Sequence, residues 1–225
     1  MNILHVCANP KPTDESVSKQ LAAAFFGKLI ELRSDVDLVN VDLYDEKPPF
    51  YSYELYKRSW YPLLNEDYEP SKAEEMAINY AKKQADVFNE ADVVVLTMPM
   101  WNFSMPGIMK AWMDQVLTPG LTFDVSVEEG VKALHKVKSI VLLVASGGVY
   151  KEGDERDALS ASVRAAFGYV GIDDIEIVWA DGQNALFNMD SDERKEMAME
   201  AAIETAEDIA EMEISEDAEE EVAAE

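Results

Sequence analysis

Residues that build disulfides, metal centres and nucleophile–base pairs are scarce in this sequence. Among its 225 residues Cys7 is the one cysteine, and His5 and His135 are the two histidines. A single cysteine excludes an internal disulfide and points to a reducing compartment. With two histidines and no Gly-x-Ser-x-Gly elbow, the chain offers neither a zinc ligand set nor a serine-hydrolase triad, so no metal is expected. Ordinary structural roles suffice for all three residues: Cys7 as a small buried hydrophobe, His5 as a satisfied strand residue, His135 at the surface. No stretch approaches the ~18 consecutive apolar residues of a bilayer-crossing helix. Residues 1–6 lack the charged segment and cleavage site of a secretory signal, and a cytoplasmic location is expected.

Positive charge is also in short supply. Nineteen Lys and Arg stand against 45 Asp and Glu, for a formal net charge of −26. Nucleic acids and anionic membranes are held by neutralising cations, so neither is an expected partner. Residues 188–225 contain 16 acidic and 2 basic residues, which concentrates the excess at the C-terminal end. Two nucleotide-binding patterns are missing as well. No Gly-x-Gly-x-x-Gly follows the first β-type segment and no Gly-Lys-Ser/Thr occurs, which disfavours a dinucleotide Rossmann site and an NTP-binding P-loop.

What remains is a chain that is 48% hydrophobic and long enough to bury a sizeable core as one domain. β-type segments at residues 2–8, 36–43, 92–97, 140–145 and 174–180 alternate with helical spacing at residues 21–30, 71–89, 107–117, 154–169 and 190–212, the first preceded by N-cap residue types at 13–18. Two of these segments, 92–97 and 140–145, are continuous apolar runs of the kind found in parallel strands buried on both faces. The alternation predicts a doubly wound, five-stranded parallel α/β sheet with helices on both faces, for which the order 2-1-3-4-5 is common. Residues around Thr122 to Gly130 read as a short hairpin. The aromatic stretch 44–70, with Pro48, Pro49 and Pro62, exceeds the usual loop and reads as an irregular insert covering the site. Residues 1–212 form the expected domain, and 213–225 an acidic tail expected to be disordered.

Ligands of such sheets bind at the carboxyl edge of the strands. Three loops should meet there. After the first strand, Asn9 leads to Ser16-Val17-Ser18 at the start of a helix, where free N–H groups and the helix dipole favour an anion. The third strand runs into Pro99-Met100-Trp101-Asn102-Phe103, with two planar rings and an amide suited to a heteroaromatic ligand. Ser146-Gly147-Gly148 follows the fourth strand, and its glycines allow close approach of backbone N–H groups to a ring. Helix capping by the serines and core packing of the aromatics are the competing structural roles.

At these residues the chain resembles the flavodoxin-like FMN-dependent oxidoreductases, and within them the NADH:azoreductase and NAD(P)H:quinone reductase family. The likeness is most specific at Pro99-Met100-Trp101-Asn102-Phe103 and continues through Lys110, Asp114, Gly120-x-Thr122-Phe123, Gly147-Gly148 and Gly168-Tyr169-Val170-Gly171-Ile172. It implies bound FMN, with Ser16, Val17 and Ser18 at the phosphate and the loops at 99–103 and 146–148 around the ring. It implies NADH or NADPH as donor, a quinone or azo acceptor, and ping-pong transfer in which the flavin rather than a side chain carries the chemistry. A homodimer is implied too, with Tyr169 and Phe123 contributed to the partner's substrate pocket. Three departures stand out: Asn9 where the family commonly has serine, Ser146 where many members have arginine, and Val125 in place of an aromatic. The alternatives are a flavodoxin-like electron carrier for protein partners, which NAD(P)H would not reduce, and a non-catalytic regulator, which would be colourless.

Overall fold

A parallel strand buried on both faces must be apolar at successive positions, and two segments meet that demand. In the computed structural model, which describes residues 1–213 apart from Glu66 and Glu152, these segments are β3 (Val93–Pro99) and β6 (Ser139–Ala145), each buried over its first six residues. They form the centre of a five-stranded sheet. With β1 (Asn2–Cys7), β2 (Asp37–Asp42) and β7 (Ile175–Ala180), the order is β2-β1-β3-β6-β7 and every neighbouring pair is parallel. This is the order expected for five strands, because β4 (Phe123–Ser126) and β5 (Gly130–Ala133) pair only with each other as an antiparallel hairpin.

Alternate residues of the central strands feed two cores. Ile3, Val93, Val95, Val141 and Leu143 meet Leu21, Phe25 and Leu29 of α1 (Val17–Leu32) and Ala198, Ala202, Ala206 and Ile209 of α7 (Ser191–Glu211). Alanine on α7 lets the two helices approach closely, and Lys28 reaches Glu207 across them at 3.0 Å. On the other face Leu4, Val94, Leu96, Leu142 and Val144 pack with side chains of three helices. These are Phe88 of α4 (Asn79–Asn89), Met109 and Trp112 of α5 (Gly107–Val116), and Val163 and Phe167 of α6 (Ala158–Tyr169). Burying a Phe or Leu side chain stabilises by roughly 1.5–3 kcal/mol, so these two layers hold the sheet edge rigidly in place.

Three segments depart from the sequence expectation. The stretch 44–70 is not irregular throughout: α2 (Tyr53–Leu64) forms within it, capped by the Ser52 hydroxyl, which accepts from Leu55 N at 3.2 Å. Pro62 is tolerated because it lies in the last turn, where few further backbone bonds depend on it. The helical run 71–89 divides into α3 (Lys72–Ala77) and α4 at Ile78, which is buried with Leu55 of α2 and Ala81. Helix α6 begins at Ala158, later than expected, because Asp157 caps it by accepting from Ser160 N at 2.9 Å. Of the expected tail, residues 214–225 lie outside the described residues. Among the described residues no helix is long and apolar enough to cross a membrane.

Candidate functional site

Beyond β1 the chain enters the carboxyl edge of the sheet at Asn9, which is 4% exposed. Its Oδ1 accepts from Lys11 N at 3.1 Å, which fixes the amide's orientation. Both amide hydrogens then go inward, to Ser16 Oγ at 2.7 Å and Ser18 Oγ at 3.1 Å. Ser16 is the N-cap of α1 and also accepts from Lys19 N at 3.2 Å. With its lone pairs taken, its hydroxyl hydrogen can turn to Ser18 Oγ, 3.4 Å away, or to a ligand. The backbone N–H groups of Val17 and Ser18 have no acceptor among the described residues. Two hydroxyls and two amides at the start of a 16-residue helix form a set of donors chemically suited to an anion.

The second wall follows β3. Met100 N donates to Ala145 O at 2.8 Å, and the chain then reverses in a tight turn. Trp101 and Ser104 exchange backbone hydrogen bonds of 3.0 and 3.1 Å, while Asn102 and Phe103 have φ of 48° and 67°. Two successive left-handed residues define a type I′ turn. Asn adopts that region readily, whereas Phe103 is held there at a cost of about 1–2 kcal/mol. Part of what holds it is Ala158 N, which donates to Phe103 O at 3.1 Å. The result is to project Trp101, 42% exposed, and Phe103, 53% exposed.

The third wall follows β6. Ser146 Oγ donates to Gly148 O at 3.0 Å and accepts from Trp179 Nε1 at 2.8 Å. The Gly147 and Gly148 carbonyls are drawn to the segment after β7, accepting from Asn184 N at 3.3 Å and Gly182 N at 2.9 Å. Their own N–H groups have no acceptor among the described residues. That post-β7 segment is a fourth wall which the sequence reading missed. Asp181-Gly182, a turn dipeptide at a strand's end, is the signal that could have found it. Gly182 has φ of +65°, and a Cβ there would come within 2.8 Å of Arg194 Cδ.

The four walls enclose one cavity of about 560 Å³, within the range of small-molecule sites. Asn9, Ser16, Val17, Ser18, Pro99, Met100, Trp101, Ser146 and Gly147 all line it, together with the stretch from Gln183 to Leu186. Asn102, Phe103 and Gly148 belong to the same loops but stand outside the lining. Tyr169 and Phe123 are elsewhere. They meet edge to face at 5.6 Å in a separate cleft beside Trp60, with Tyr169 half exposed and Phe123 buried in the core. Lys11 and Glu15 stand at the cavity's mouth with opposite charges.

Burial favours the neutral form of the two titratable groups beneath the site. His5 bonds Asn40 Oδ1 and Thr97 Oγ1, each at 2.9 Å, and burial pushes its pKa down, so it stays neutral. Burial pushes the Cys7 thiol up, away from the reactive thiolate. Among the described residues no group of three acidic, histidine or cysteine side chains could hold a metal ion.

The order of strands and the cavity at the carboxyl edge define a flavodoxin-like fold. Residues 1–209 match the family described as flavodoxin-like fold, and the chain belongs to that family. Its relatives narrow the class. It is 30% identical over 184 residues to the FMN-dependent NADH:quinone oxidoreductase of Brevibacillus brevis, covering 81% of this chain and 87% of that one. It is 33% identical over 191 residues to FMN-dependent NADH:quinone oxidoreductase 1 of Bacillus licheniformis, covering 82% and 88%. The crystal structure of an azoreductase from Bacillus anthracis superposes with a TM-score of 0.82 at 30% identity, over 92% of this chain and 99% of that one. An FMN-dependent NADH-azoreductase from Bacillus anthracis in complex with FMN does so with a TM-score of 0.80 at 25% identity, over 93% and 100%.

Proposed function

We propose that this chain is an FMN-dependent oxidoreductase that passes two electrons from NADH or NADPH to quinones, azo compounds or similar acceptors in ping-pong fashion. The observation that carries it is the single cavity joining an anion-binding helix start to an exposed indole and a glycine turn with free amides. These residues fit FMN chemically. Ser16, Ser18 and the amides of Val17 and Ser18 offer donors to a phosphate, with Asn9 orienting the two hydroxyls. Trp101 offers an aromatic face to the ring, and Gly147 offers its N–H to the ring's polar edge. FMN, when bound, supplies two-electron redox chemistry that can be charged by a nicotinamide and discharged by a second substrate. The chain's tasks are to orient the ring, to place fixed donors where negative charge develops on reduction, and to limit water.

The cleft of Trp60, Tyr169 and Phe123 is the face we assign to a second copy of the chain, so that the partner's Tyr169 would close the acceptor pocket. Light scattering of the purified protein tests this, and a monomer at working concentration would refute it. The cytoplasm suits the lone buried thiol. A one-electron carrier for basic protein partners is the second reading, favoured by the net charge of −26.

The visible spectrum before and after anaerobic NADH is the decisive measurement. Bound flavin that bleaches with NADH and recovers on adding a quinone or azo dye is the expected result. Flavin that binds but is not reduced would favour the carrier, and a protein that takes up no FMN would refute both.

A further inference from the structure

The oxygen of Ser146 is a junction between the cofactor cavity and a stack of side chains behind it. Trp179, opposite Val144 in the β6–β7 register, lies on Tyr150 with ring centres 5.2 Å apart and planes 20° apart. The Arg156 guanidinium sits 5.2 Å from the centre of the Tyr150 ring. Arg156 is in turn fixed by two bonds to Asp154, of 2.9 and 2.6 Å. The indole is therefore held in orientation from its face, and its N–H points at Ser146 Oγ, 2.8 Å away.

The polarity of this chain of bonds is forced. An indole N–H can only donate, so Ser146 must accept there, and its single hydrogen goes to Gly148 O at 3.0 Å. Gly148 O also accepts from Gly182 N, and Gly147 O from Asn188 Nδ2 at 3.0 Å. Both glycine carbonyls of the turn are thus tied to the β7 side, and the Gly147 amide is left facing the cavity. Trp179 and Tyr150 do not line the cavity; they face the neighbouring cleft.

We propose that Trp179 is a positioning residue for the cofactor site: acting through the Ser146 hydroxyl, it holds the 146–148 turn in the shape that presents the Gly147 amide to the cavity. The inference rests on the FMN reading above and goes beyond it in naming a residue that touches no ligand. Bonds in series with one polarity reinforce each other, so loss of the indole N–H slackens the Ser146–Gly148 contact as well.

The test compares Trp179→Phe, Ser146→Ala and the double variant with the parent chain. Phenylalanine keeps an aromatic face on Tyr150 and removes the indole donor together with part of the ring's volume. FMN affinity, read from quenching of flavin fluorescence on titration, should fall about fivefold in Trp179→Phe, the scale of one net hydrogen bond. The double variant should bind FMN no more weakly than Ser146→Ala alone, because the two groups act in series. The midpoint potential of bound FMN should move to more negative values in both single variants, at least as far in Ser146→Ala, since the amide favours the charge acquired on reduction. Losses that multiply in the double variant would overturn the inference, as would an affinity in Trp179→Phe equal to that of the parent. A drop in urea midpoint of the FMN-free variant with an unchanged potential would assign Trp179 to packing alone and overturn it too. A parent chain that binds no FMN would instead overturn the FMN reading, and this inference with it.

Discussion

Ser18 is fully buried and accepts from Asn9, and the lone pairs of Ser16 Oγ, 3.4 Å away, are already taken by Asn9 and Lys19, so the Ser18 hydrogen is left to give. If that hydrogen is for a phosphate, Ser18→Ala should weaken FMN about fivefold or more and leave riboflavin, which lacks the phosphate, unaffected. Parallel titrations with the two flavins check this, and an equal loss for both would place Ser18 away from the phosphate. Phe103 carries a different kind of information, since its left-handed backbone is strained. Phe103→Asn should raise the urea unfolding free energy by about 0.5–1 kcal/mol, because Asn tolerates that region and the lost ring is half exposed. Equilibrium unfolding by circular dichroism measures it. At this scale the residue types around the cavity were readable from sequence, but their bonding was not. Nothing in the order of residues says that the Asn9 amide is spent on two hydroxyls, or that Trp179 reaches Ser146 across 33 positions.

Helix α2 illustrates what a local pattern hides. Its aromatic composition and Pro62 look irregular in sequence, and its partners are distant: Arg58 binds Glu75 at 2.7 Å, and Lys57 pairs with Glu74 of α3. Glu74 also accepts from Tyr68 Oη at 2.7 Å and Ser71 N at 3.0 Å. Bonds from Lys57 and then Tyr68 bring its pKa down from near 4.5 to about 2. A depressed carboxylate stabilises above its unfolded-state pKa and loses that contribution as pH falls through the folded value. The docking of α2 should therefore weaken between about pH 4.5 and 2. Pepsin cleavage within residues 44–70, mapped by mass spectrometry, should set in over that window ahead of cleavage in the sheet. Glu74→Gln should remove this onset once cleavage is normalised to an unfolded control substrate at each pH; an unchanged normalised profile would remove Glu74 from the mechanism. Long, strongly periodic elements such as α1, α5 and α7 were legible because one face of each meets the sheet. The break at Ile78 and the helix in the insert were not, because contacts between elements decide them.

For the whole molecule, the net charge of −26 means that folding brings like charges together. Added sodium chloride should raise the thermal midpoint of the protein, most steeply at low ionic strength where the screening length changes fastest. A midpoint independent of salt would show that the charges are spaced widely enough not to matter. The sheet order was legible through general rules of chain connection, with the hairpin shifting only the strand count. The carboxyl-edge cavity followed from the same rules, apart from its fourth wall, since no local signal links Gln183 to Ser16.

The lone thiol of Cys7 is buried, and burial holds it in the unreactive form. The protein is therefore almost blind to maleimide while folded. A cysteine placed at Leu186, exposed at the cavity's edge, would be labelled alone, and its dye would report in real time whatever enters or leaves the site.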